Sequence, residues 1–127
     1  MSNAQILSQI STAKINSWSV AQQPANGILT YTSTITWDAT LDQVATITLD
    51  GNATMDLPSN IINNASYVLI VKQDATGART LAWNSAFKFT GGIVPTLSTS
   101  ALAVDVFTFV ADGTTALRCI GKAYDVK

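Results

Sequence analysis

A chain of 127 residues suits one domain, because folding at this size removes about two-thirds of the surface that the unfolded chain exposes. Charged residues make up 12% of it, about half the usual share, and Thr, Ser, Asn and Gln fill the gap. The 47% hydrophobic content excludes a disordered tail, and seven basic residues scattered singly leave no stripe to track phosphates, so no nucleic-acid partner is expected.

A hydroxyl-rich, low-charge composition fits β-strands whose outward positions carry Thr in place of Lys or Glu. It also suits many like copies packed side by side, where mutual repulsion is costly. The lone Cys119 forms no internal disulfide and no cysteine metal site. A signal peptide is not visible, and the most apolar stretch, Ala101 to Ala111, carries Asp105 and is too short to span a bilayer. Synthesis in a cytoplasm and no membrane partner are the expectation.

Residues 1–27 differ from the rest. Ser2 or Asn3 is placed to cap a short helix, with Ile6, Leu7, Ile10 and Ala13 near one face, until Pro24, Asn26 and Gly27 end the segment. Two readings stay open: a helix or arm folded on its own domain, or an arm docked on a neighbouring subunit through Ile6, Leu7, Ile10 and Trp18. Residues 28–127 form the second unit, expected to be a β-sandwich or jelly-roll-like domain.

From Ile28 the period is two. Leu29, Tyr31, Ile35 and Trp37 are expected to face inward along one strand, with Thr30, Thr32, Thr34 and Thr36 outward. Gln43 to Leu49 repeats the pattern with Ala45, Ile47 and Leu49 on one side. Asp50-Gly51-Asn52 predicts a turn into a return strand with Ala53, Met55 and Leu57 on one side, stopped by Pro58. Tyr67 to Val71 is apolar on both faces and predicts a strand buried within the sandwich. Gln73 to Ala78 is a loop, and Arg79 to Trp83 returns from it.

Phe87 and Phe89 point one way with Lys88 opposite, before Gly91-Gly92. Val94 to Leu102 reads as a longer connection. Val104 to Val110 is a second buried strand, with Phe107 and Phe109 on one face and Val106 and Val110 on the other. Asp112-Gly113 turns the chain into a last strand, Thr115 to Ala123. Six to eight short strands with turn signals argue for an all-β sandwich.

The chain contains no His and no Glu. That removes the usual general base, the Ser-His-Asp and Cys-His arrangements, imidazole zinc sites and Glu-based acid–base pairs. Asp50, Asp74 and Asp112 sit in turns, where their side chains satisfy local backbone donors. Asp38 and Asp42 flank a connection and are the best candidates for a hard cation, but they lack EF-hand spacing. Neither a catalytic residue, a cofactor nor a metal is expected. Cys119 reads as a buried, inert small hydrophobe. Trp37 and Trp83 read as core residues, with a sugar-stacking platform as the rival, and Trp18 as a contact between subunits.

Several runs in order then carry a family resemblance. They are Leu49-Asp50-Gly51-Asn52-Ala53-Thr54, Gln73-Asp74-Ala75-Thr76-Gly77-Ala78-Arg79-Thr80-Leu81-Ala82-Trp83 and Lys88-Phe89-Thr90-Gly91-Gly92. Pro95-Thr96-Leu97-Ser98-Thr99, Val104-Asp105-Val106 and Ala111-Asp112-Gly113 follow. Leu49 to Lys127 thereby resembles a β domain of tailed-bacteriophage virion proteins, present in tail fibres and in small head-attached proteins. The run from Gln73 to Leu81 is its most specific element.

The resemblance implies a non-enzymatic homotrimer on the virion. No long shaft or baseplate-attachment region precedes the sandwich, which favours a capsid decoration or cement protein that binds and stabilises the major capsid protein shell. The alternative is a tail-fibre or receptor-binding component that recognises a host surface glycan.

Overall fold

Side-chain alternation decides which segments pair. A computed structural model describes residues 27–127, in which eight strands form: β1 (Thr34–Ile35), β2 (Val44–Leu49), β3 (Ala53–Met55), β4 (Ser66–Gln73), β5 (Leu81–Trp83), β6 (Phe87–Lys88), β7 (Val104–Asp112) and β8 (Ala116–Ala123). They make a three-stranded sheet, β1-β3-β5, and a five-stranded sheet, β2-β4-β7-β8-β6. The buried side chains of both sheets join one hydrophobic cluster, which is the all-β sandwich expected from the pattern.

Connectivity departs from simple hairpins. The chain alternates between the sheets from β1 to β5, so that β1, β3 and β5 pair in parallel and β2 pairs in parallel with β4. The Asp50-Gly51-Asn52 turn therefore hands the chain to the other sheet, and β3 is no return partner of β2, contrary to the expectation. The reason lies in burial: Leu49 enters the core from the large sheet, and Ala53 and Met55 enter it from the small one. Only after β5 does the large sheet turn antiparallel, through β4–β7 and the β7–β8 hairpin at Asp112-Gly113.

The first alternating run also divides. Leu29, Ile35 and Trp37 are buried and Tyr31 half-buried, as the period of two requires. Yet only Thr34–Ile35 is strand. Ile28 bridges Thr46 of the large sheet, whereas Thr34 and Ile35 pair with Thr54 and Met55 of the small one. One run crosses between sheets, and continuous pairing along its length is impossible.

Aromatic rings fill the middle. Trp83 packs edge-on against Phe87, Phe89 and Phe107 with ring centroids 5.1, 5.2 and 5.1 Å apart. Such geometry sets the positive ring edge against the negative face. Trp37 is buried, lies edge-on to Tyr67 and donates its indole N–H to the Asp42 carbonyl at 2.6 Å. Both described tryptophans thus belong to the core side of the sandwich, Trp83 half-buried.

Candidate functional site

The Gln73 to Arg79 loop is held by its own side chains. Asp74 Oδ1 accepts the backbone N–H groups of Thr76 and Gly77, and its carboxylate pairs with the Arg79 guanidinium at 2.8 Å. The Arg79 hydrogen bond is the largest cause that holds the Asp74 carboxyl below its ordinary value, and the Gly77 N–H adds to it. Gln73 is buried at the end of β4; its amide donates to the Arg79 and Ser98 carbonyls and accepts the Arg79 N–H. Ala78 N–H donates to the Thr99 carbonyl, which docks the loop on the long connection. The side chains of Gln73, Asp74 and Arg79 are all engaged in building the loop, which makes their role architectural.

The outward side of the large sheet is different in kind. The small sheet packs on one side of it, against Ile47, Leu69 and Phe109. On the other side β4 presents Val68 and Ile70, and β7 presents Val104, Val106, Thr108 and Val110, all half-buried. Tyr67 to Val71 and Val104 to Val110 were expected to be sealed on both faces, and here they are corrected: each is sealed on one. Register sets Thr46, Ile70, Val106 and Ala123 in a row, and Ile28, bridged to Thr46, extends it at the edge with 68% of its surface exposed. A bulge at Thr108/Phe109 adds Ile120, 64% exposed, to β8. Charge touches this face near its corners, at Lys72 and at Lys88 beside Arg118, which pairs with Asp112.

Of the residues singled out as partner-binding, Ile6, Leu7, Ile10 and Trp18 lie outside the described residues. Asp38 and Asp42 come together at the start of β2, but each carboxylate already serves the chain. Asp38 accepts the Thr40 N–H and the Asn60 side-chain amide, the latter being the main reason its carboxyl sits below the usual range. Asp42 accepts the Gly27 N–H at 3.0 Å and so fixes where the N-terminal segment joins the domain. Cys119 is half-buried on β8 and not fully buried as expected; partial burial pushes its thiol pKa up. The cause is its place on the outermost long strand, where β6 covers only Leu117 and Arg118.

Sequence reasoning passed over Asp105. It is buried in β7, where its two oxygens accept the Ser98 and Asp125 N–H groups at 2.7 and 2.8 Å. An Asp breaking an apolar run was the available signal. No cluster of metal-ligating side chains exists among the described residues. The concavities are shallow surface clefts, such as one of about 390 Å³ lined by Leu41, Ile62 and Tyr67.

A fold whose polar side chains are spent on its own loops, beside a broad sheet face of low charge, fits a part of an assembly. Comparison with known families decides the matter: residues 30–116 match the family described as "Putative phage tail fibre C-terminal domain". The chain belongs to this family. Its match covers more than half of the chain and takes in β1 through the start of β8, reaching further toward the N-terminus than the resemblance at Leu49. No curated protein and no solved structure matches the chain. As a member of the phage tail fibre C-terminal domain family, the protein is a virion structural component. No helix among the described residues is long and apolar enough to cross a membrane.

Proposed function

We propose that this domain is a non-enzymatic building block of the phage tail fibre, assembled as a homotrimer and joined to other virion proteins. The match of residues 30–116 to a tail fibre domain family carries this reading. Low charge supports self-assembly, since like copies meet with little repulsion. On this reading the fibre recognises a host surface glycan, and a sugar array with the purified protein measures it.

A second reading, capsid decoration, is favoured by the outward sheet face. A sheet surface of Val, Ile and Thr, charged only near its corners, is suited to lying on a protein shell and adding contact area. On this reading the partner is the major capsid protein. Gold-labelled antibody against the domain separates the two on intact virions. Label at the tail supports the fibre, label spread over the head supports decoration, and unlabelled virions in a preparation that contains the gene product overturn both.

A further inference from the structure

We propose that the outward face of the five-stranded sheet is the docking site for residues 1–26 of a second copy of this chain, so that the copies are tied by exchanged N-terminal segments. The inference rests on the homotrimer reading above and names the surface and the segment that would make it.

Three observations lead there. First, β4 and β7 carry Val68, Ile70, Val106 and Val110 on the side away from the small sheet, and no strand of the sandwich lies over them. Burying such β-branched rows against a second apolar surface is what stabilises the other side of the same strands. Second, the face has a definite size. Five strands at about 4.8 Å spacing give a width near 24 Å, and a single helix or extended segment about 10 Å across covers its middle rows.

Third, the chain outside the described residues has the matching chemistry and begins at this face. Residues 1–26 hold one charged side chain, Lys14, and place Ile6, Leu7 and Ile10 at helical spacing with Trp18 beyond. Their junction is fixed: Gly27 N–H bonds Asp42, Gly27 carbonyl accepts the Thr46 N–H, and Ile28 stands in the exposed row beside Thr46. Ile28 runs parallel to β2 at the edge of the sheet, so the segment joins the domain beside this row. The low charge of the chain lets copies approach closely, which favours a sister copy's face as the acceptor. Twenty-six residues, about 39 Å even if wholly helical, suffice to cross a second sheet.

The test uses the full chain with a benzophenone amino acid in place of Ile10, mixed from isotopically heavy and light preparations. After irradiation, mass spectrometry maps the joined peptides. The inference expects heavy–light products that join residue 10 to the peptides around Ile70 and Val106. It further expects at least a tenfold loss of them in the double variant Ile70→Lys, Val106→Lys, measured on protein whose β-type circular dichroism is unchanged. Products confined to one isotope mean that the segment lies on its own sheet and overturn the exchange. Products on another surface, or none, overturn the docking site. Sedimentation of the same sample separates the two levels: monomer alone removes the homotrimer reading, whereas an oligomer without these products removes only the present inference. If the double variant fails to fold, the peptide map and its isotope pattern decide alone.

Discussion

Gly77 shows how much one residue of the loop constrains. Its φ is +75°, and a Cβ there would stand 2.6 Å from the Thr99 carbonyl oxygen and 2.7 Å from the Ala101 nitrogen, both backbone atoms. Gly77→Val is expected to cost about 2–3 kcal/mol from backbone strain, with the clash in addition, and to lower the midpoint of thermal unfolding by several degrees. An unchanged midpoint would mean that the loop adopts another conformation. Asp74, three residues earlier, makes stability depend on pH. Its folded pKa lies below the ordinary 3.8, chiefly because of the Arg79 hydrogen bond. Its contribution is therefore complete above the unfolded value and is lost as pH falls through the folded one. Asp74→Asn should flatten the melting curve's pH dependence below about pH 4 and leave less stability at pH 7, which calorimetry at a series of pH values measures.

At the scale of elements, β7 organises more than its pairing with β4 and β8. Buried Asp105 ties the long connection and the C-terminal tail to this central strand by holding the Ser98 and Asp125 N–H groups. Asp105→Ala orphans both donors and should destabilise the fold by about 2–4 kcal/mol, seen as a lower urea midpoint. The tail from Tyr124 should also become open to carboxypeptidase before the rest unfolds. A variant that resists the enzyme as well as the parent would place the anchor elsewhere, for instance in the Tyr124 ring against Phe107. Both tied segments lie outside the strands, so the Asp105 side chain supplies hydrogen bonds that a ladder otherwise would, beside the one from the Val126 N–H to the Val104 carbonyl.

For the whole molecule, light scattering at micromolar concentration should give a mass near three times 13.4 kDa. A pure monomer counts against preformed trimers. Removing residues 1–26 should preserve a cooperative β-type melt, since residues 27–127 carry a core cluster drawn from both sheets. The shortened chain should no longer associate with its sister copies. Failure of this chain to fold would assign the N-terminal segment to the domain's own core. Retained assembly would show that the contacts run through the sandwich without it.

Period-two patterning was legible because burial acts on each side chain separately. Leu29, Ile35 and Trp37, then Ala45, Ile47 and Leu49, then Phe87 and Phe89 all lie inward as their alternation requires. The absence of His and Glu was equally plain in the residues themselves. Pairing was not legible, because a strand's partner is chosen by surfaces distant in the chain. Nothing local distinguishes an Asp50-Gly51-Asn52 turn that closes a hairpin from one that changes sheets. The candidate site was hidden for the same reason. An apolar run such as Tyr67 to Val71 declares two faces to be covered, but what covers the second depends on how many layers the fold supplies, and within residues 27–127 it supplies one. Tertiary packing alone converts Val68, Ile70, Val106 and Val110 from expected core into surface.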